Sequence, residues 1–245
     1  MTGTPQAPLD PDDLAALSEA STATITTQLF KHGLRNTFLA GLTRVSENAP
    51  RMIGEAFTLR YIPAREDIDV LEVYDDYDHP QRAAVEQVGP GQILVVDCRG
   101  EGRAASAGNI LLTRLSVRGA AGLVTDGTLR DIGEISRLPL PVYATGAAAM
   151  TNLALHHAVD LQVPIGCAGV AIYPGDVLVG DADGVVCIPR HLVATIARQA
   201  QAQEQLETFI TERITAGAPL RGTYPADAAT LRAYEEGRLT QAVRD

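Results

Sequence analysis

Residues 89–126 hold the feature that most constrains the fold. A Gly89-Pro90-Gly91 turn leads into the apolar run ILVVD (93–97), a loop of glycine and alanine, a helical stretch from about Asn109 to Arg118, and a second apolar run, GLVTD (122–126). Two short apolar strands separated by one helix favour a parallel pair joined by a right-handed crossover. That connection brings the loops following both strands to the same sheet edge, where α/β proteins usually bind their ligands. The chain is therefore expected to carry its chemistry on the loop ending at Gly108 and on the segment after Asp126.

Composition agrees with a layered α/β core. Hydrophobic residues make up 46% of the 245 residues, aromatics only 4% and charged residues 20%, so Ala, Val, Leu and Ile must supply the core. The length permits two small domains, but one is expected over 1–245, with a loose arm at 1–12 and a C-terminal helix plus tail at 191–245. A net charge of -10 and the lack of a basic stripe argue against nucleic-acid binding, which depends on clustered Lys and Arg. One local arginine can still capture an anionic small molecule. Cys98, Cys167 and Cys187 are odd in number, widely spread and without a CxxC pair, which predicts reduced thiols. No leader pattern and no apolar run of about 18 residues is present, so a cytoplasmic protein with no membrane contact is expected.

Along the rest of the chain, a first helix is expected at about Leu14 to Ser21, a second from Thr22 to His32, and a strand in GEAFTLRYIP from Gly54. An acidic stretch through Asp75, Asp76 and Asp78 reads as a solvated loop. LPVYATG after Pro139 reads as a strand, and the apolar runs flanking Asp181-Ala182-Asp183-Gly184 predict a hairpin. The pattern from His191 to Ala216 is helical and is ended by Gly217 and Pro219. The tail carries Tyr224 and Tyr234, which look exposed and suited to a neighbouring subunit.

Three segments compete for function. GEGRAA (100–105) superficially matches a dinucleotide fingerprint, but its helix starts only near Gly108 and no acidic residue ends a second strand at the usual distance, which disfavours nicotinamide or flavin binding. The small residues Ala104 to Gly108 allow close backbone approach, and the helix start behind them offers free N–H groups to a carboxylate or phosphate; tight helix–sheet packing would explain them equally well. DGTLRD (126–131) presents two carboxylates and a guanidinium, or else an ordinary polar turn. Its expected place beside Gly108 favours the former. The five histidines show no metal-ligand spacing, and the adjacent His156 and His157, which a helix would point in different directions, read as structural or exposed. A bound metal must therefore use few protein ligands.

The linked segments SAGNILLTRLSVRGAAGLVTDGTLRD (106–131), LPVYA, and VPIGCAGVAIYPGDVLVGDADGVVCIP resemble the RraA-like family, over about Thr22 to Gly217. The family includes divalent-metal pyruvate aldolases acting on 4-hydroxy-4-methyl-2-oxoglutarate and related oxo acids. The resemblance implies an α/β fold, a β-β-α sandwich like the swivelling phosphohistidine domain, assembled as homotrimers or homohexamers with sites at subunit interfaces. It implies that Gly108 and the amides of Asn109, Ile110 and Leu111 hold the substrate carboxylate, that Asp131 binds Mg2+ or Mn2+, and that Arg130 contacts the oxo-acid oxygens. It also implies a lyase, cleaving a carbon–carbon bond beside a 2-oxo acid, with oxaloacetate decarboxylation through the same enolate. An acidic residue from a neighbouring subunit corresponds to Glu207, or to Glu204 one turn away. Asn109 departs from the aldolase pattern, which has Asp there; the change removes a charge and a proton acceptor from this catalytic position. The family also contains members that inhibit a ribonuclease by binding it, so a non-catalytic regulator is the alternative.

Overall fold

The computed structural model describes residues 8–242, with side chains as far as Arg238. Two helices open the chain, α1 (Pro11–Glu19) and α2 (Thr22–Lys31), followed by strands β1 (Thr43–Arg44) and β2 (Met52–Pro63). Helix α3 (Pro80–Gln87) leads to β3 (Gln92–Asp97), β4 (Ala105–Ala107), α4 (Asn109–Val117), β5 (Gly122–Thr125), β6 (Thr128–Leu129) and α5 (Ile132–Ile135). Then come β7 (Val142–Ala144), β8 (Gly146–Ala147), β9 (His156–Leu161), β10 (Ile165–Cys167), β11 (Val170–Ile172), β12 (Val177–Gly180) and β13 (Val185–Ile188). Helices α6 (Val193–Thr215), α7 (Leu220–Thr223) and α8 (Ala228–Ala242) finish the chain.

The main sheet has the order β1-β7-β5-β3-β2-β12-β13. β2 is its longest strand and makes the curl: its first residues pair antiparallel with β12 and its last with β9, while β3 runs parallel along its other edge. β3 and β5 pair in parallel on either side of α4, as the two apolar runs predict. Alternate residues of β3 feed different cores, because Leu94 and Val96 pack beneath α3 and α4 while Ile93 and Val95 face the β10–β11 hairpin. Burial on both faces explains why the strand is apolar throughout. A third cluster joins α1, α2 and α6 to β12 and β13. Mixed α/β architecture and the curled sheet agree with the expected fold class. Among the described residues no helix is long and apolar enough to cross a membrane.

Several local expectations are corrected. Helix α1 begins at Pro11, within the stretch read as a loose arm, because Asp10 caps it by accepting from Asp12 N–H and Pro11 occupies the first turn; residues 1–7 of that arm lie outside the described residues. The glycine-alanine loop contains β4, which joins β6 and β8 in a small parallel sheet. The acidic stretch holds a single 3-10 turn, Leu71–Asp75, and leads straight into α3. The structural reading of the adjacent histidines holds for His156, which is buried on β9 and stacks on Tyr61. Tyr234 packs on Phe209 of α6 in its own chain, whereas Tyr224 is exposed.

Asp126 ties the sheet edge together. Its carboxylate accepts from the N–H groups of Cys98, Gly100 and Ala168, joining the loops after β3 and β10. Burial pushes its carboxyl above the ordinary carboxylate range, against the lowering by those N–H groups. The folded chain therefore holds this proton more tightly than the unfolded chain, and the Asp126 contribution to stability falls as pH rises from the ordinary carboxylate value through the raised one. Urea midpoints measured upward from the ordinary carboxylate range, about pH 4, should fall more steeply, or rise less, in the wild type than in Asp126→Asn. Parallel profiles would show that Asp126 does not titrate differently on folding.

Gly54 on β2 is fixed by space, since a Cβ there would lie 2.6 Å from the Gly91 carbonyl oxygen and 2.9 Å from the Ala121 Cβ. Gly54→Ala should cost about 1–3 kcal/mol in urea unfolding, while Gly166→Ala, which meets nothing within 4 Å, should stay within about 0.5 kcal/mol of wild type. Equal effects would contradict this packing.

Candidate functional site

The β3–α4–β5 crossover brings the two expected loops together. Gly108 is the N-cap of α4, with φ -135° and ψ 179°, an extended geometry open to any residue. Space is what demands glycine: a Cβ would lie 2.7 Å from Asp131 Oδ2 and 2.9 Å from Arg130 Nε. Asn109 N–H donates to Asp131 Oδ2 at 3.1 Å. The N–H groups of Ile110 and Leu111, which a helix leaves without internal acceptors, have none among the described residues. Leu112 and Leu115, both fully buried, anchor the helix beneath them.

β6 delivers the other wall. Arg130 N–H donates to the Ala107 carbonyl, extending the β4–β6 pairing, and leaves a half-exposed guanidinium with no hydrogen-bond acceptor among the described residues. Its Nε lies 3.8 Å from Asp131 Oδ2. Asp131 adopts the left-handed conformation, φ 62°, which Asp tolerates better than most residues, and its carbonyl starts α5 by accepting from Glu134 and Ile135. Of the two carboxylates in DGTLRD, Asp126 is thus a buried structural tie and Asp131 a half-exposed group in the cleft.

The cleft between these walls encloses about 200 Å³ and is also lined by Tyr74, Gln81, Arg82 and Asn152. Gln81 Nε2 and Tyr61 Oη both donate to the Ser106 carbonyl, at 2.8 and 3.2 Å, fixing β4 just before Gly108. Burial pushes the Tyr61 phenol far above its usual value, so it remains a neutral donor. Tyr74 Oη donates to Asn152 Oδ1. Sequence reasoning missed these residues because they come from the acidic stretch, from α3 and from a short 3-10 turn at Asn152–Ala154. The His79-Pro80 pair, with proline suited to a first helical turn, was the available signal for α3.

Other expected residues stand apart. The Asn109 side chain accepts from Thr113 Oγ1 at 3.2 Å along its own helix and is not part of the cleft lining. Glu207 accepts from Gln203 on α6, and Glu204 accepts from Ser21 N–H at 2.8 Å, tying α6 to the start of α2. Neither lines the cleft of its own chain. The three cysteines are free and buried, and burial pushes the Cys98 thiol up to about 12, which removes it as a nucleophile. Among the described residues no group of three or more His, Cys, Asp or Glu could hold a metal. The donor set around Asp131 fits one kind of cation: a single accessible carboxylate suits Mg2+ or Mn2+, which retain waters and take substrate oxygens, and does not suit zinc or calcium cages.

Residues 16–187 match the RraA-like family, described as Aldolase/RraA. A Halalkalibacterium halodurans protein provisionally named as a 4-hydroxy-4-methyl-2-oxoglutarate aldolase is 35% identical over 125 residues, 49% of this chain and 57% of its own length. The match thus spans little more than half of that relative. Streptomyces coelicolor RraAS2, described as an unusual member of the RNase ES inhibitor RraA protein family, superposes with a TM-score of 0.73 at 30% identity, covering 84% of this chain and 98% of its own. An uncharacterized protein from Pseudomonas syringae superposes with a TM-score of 0.76 at 26% identity, covering 89% of this chain and all of its own. The family match covers most of the chain and the superpositions agree with it, and the chain belongs to the RraA-like family.

Proposed function

We propose that this chain is a divalent-metal-dependent lyase that cleaves 2-oxo acids of the 4-hydroxy-4-methyl-2-oxoglutarate type to release pyruvate, and that it decarboxylates oxaloacetate by the same chemistry. One observation carries the reading: Ile110 and Leu111, whose amides at the start of α4 have no acceptor among the described residues, line the same cleft as the half-exposed Arg130–Asp131 ion pair. The amides of Ile110 and Leu111, at the positive end of the helix, hold the carboxylate of the oxo acid. The lack of a Cβ at Gly108 lets Arg130 and Asp131 approach that end closely. The C4 hydroxyl gives its proton to water as that carbon becomes a carbonyl and the C3–C4 bond breaks. The electron pair stays on the pyruvyl fragment as an enolate that water then protonates to pyruvate, and the Arg130 guanidinium donates to the oxygen on which the charge grows. Asp131 would hold Mg2+ or Mn2+, which supplies Lewis-acid charge when bound.

The protein is a homo-oligomer, a trimer or hexamer, in this reading. Ile110 and Val117 on α4 are 82% and 74% exposed, apolar area that a second chain would cover. Glu207 can serve only the cleft of a neighbouring subunit, since it lies outside its own. The likeness to RraAS2 supports a second reading, a regulator that binds a ribonuclease without catalysis. Pyruvate release separates the two.

With 4-hydroxy-4-methyl-2-oxoglutarate as substrate, a chelator should abolish pyruvate formation and Mg2+ or Mn2+ restore it. Asp131→Asn should lose metal affinity, whereas Arg130→Lys should keep the metal and lose about 100-fold or more in rate, because Lys cannot reproduce the planar fork. Full turnover in metal-free protein, or equal loss of metal in both variants, would refute these roles.

Asn109→Asp should raise Mg2+ affinity about 10-fold by placing a second negative charge beside Asp131. Turnover should rise with it if a proton acceptor at this position limits the wild type. Unchanged affinity in calorimetric titration would show that residue 109 stays turned toward Thr113 and takes no part.

A further inference from the structure

Residues 64–79 leave β2 after Pro63 and enter α3 at Pro80, with a single 3-10 turn, Leu71–Asp75, between them. None of these residues is buried as a whole, and Leu71 and Tyr77 are 71% and 85% exposed. This strap therefore has no apolar anchor in the core. Beyond its own turns and the first turn of α3, its hydrogen bonds all run to one short stretch, residues 151–157. Ala64 N–H donates to the Leu155 carbonyl at 3.1 Å, His157 Nδ1 lies 2.6 Å from Asp69 Oδ1, and the Tyr74 hydroxyl donates to Asn152 Oδ1. The Asp69 carboxylate is only 1% exposed and also accepts from Arg65 N–H at 2.7 Å, so the first half of the strap is pinned by a buried polar contact. The second half is held through Tyr74. Its hydroxyl also lies 3.3 Å from Thr151 Oγ1, and its ring centroid is 4.5 Å from the Arg82 guanidinium carbon.

Such contacts break more cheaply than core packing. Lifting the second half away uncovers little apolar surface, and water replaces the lost polar partners, so each contact contributes only a modest net stabilisation. Segments of this kind open while the rest of a domain stays folded. Tyr74, Thr151 and Asn152 all line the cleft, so the contact that breaks belongs to its wall. We infer that residues 70–79 are a gate on the cleft, latched by Tyr74 on Asn152 and hinged at the contact between Asp69 and His157 and at Pro80. The gate opens to admit the ligand, then closes on it and keeps water out. The inference takes from the reading above only the identity of the ligand, an oxo acid.

Hydrogen–deuterium exchange of the full chain, followed by mass spectrometry, tests the gate in two arms. The N–H groups of Val73, Asp76 and His79 are hydrogen-bonded within the strap and report its opening. Tyr74→Phe removes the latching hydroxyl and keeps the ring beside Arg82. Exchange over 70–79 should quicken about 5- to 10-fold, the effect of one lost hydrogen bond, with β2 and α3 unchanged. In the second arm, pyruvate in Mg2+ at about ten times the Kd found by calorimetry should slow wild-type exchange over 70–79 by about 10-fold. Exchange that Tyr74→Phe leaves unaltered, or quickens equally in β2 and α3, would overturn the gate. So would exchange over 70–79 that stays the same when pyruvate is bound, and each of these results leaves the oxo-acid reading intact. Pyruvate that binds neither form would overturn that reading and, with no ligand to close on, the gate as well.

Discussion

The site depends on one close approach, the packing of the Gly108 Cα against the Asp131 carboxylate and the Arg130 side chain. Every other residue type brings a Cβ that would force these groups apart. With the glycine in place, Asn109 N–H reaches Asp131 Oδ2 and locks the start of α4 to the beginning of α5. The same contact concentrates opposite demands in a small volume: a helix end that attracts anions, a carboxylate that attracts cations and a guanidinium shared between them. The oxo acid and divalent cation proposed above would satisfy all three.

The scaffold makes that approach possible by keeping the loops rigid behind it. β2 spans the sheet, pairing with β3 on one edge and with both β12 and β9 on the other. β3 and β5 then run parallel, and their following loops meet at one edge. Asp126 closes that edge with three backbone N–H groups, and Ser106, held by Gln81 and Tyr61, fixes the short strand before Gly108. These buried polar contacts serve position, and Arg130 and Asp131 are left half-exposed at the cleft.

Much of this is legible in the sequence, for a physical reason. The runs at 93–97 and 122–126, the Asp-Gly hairpin and the long helix after His191 each carry a period or turn signal strong enough to survive tertiary context. The crossover rule then places Gly108 beside Arg130 and Asp131 without coordinates. Strands β4, β6 and β8 are two or three residues long and have no period to read. Tyr74, on a short 3-10 turn, and Arg82, on α3, lie far along the chain from Asn152, and only folding brings them to the same cleft. Asp126 and Asp131 look equivalent in DGTLRD, yet burial separates them, and sequence spacing carries no measure of burial.

If the proposed chemistry holds, the cleft stabilises the enolate of a pyruvyl group. Proton NMR of pyruvate in deuterium oxide measures that ability without any knowledge of the natural substrate, because an enolate that forms and reprotonates exchanges its methyl protons for deuterium. Loss of the methyl signal should be Mg2+-dependent with the wild-type chain and absent with Arg130→Lys or Asp131→Asn. A methyl signal that persists with wild-type protein and Mg2+, or that decays equally with both variants, would contradict that chemistry.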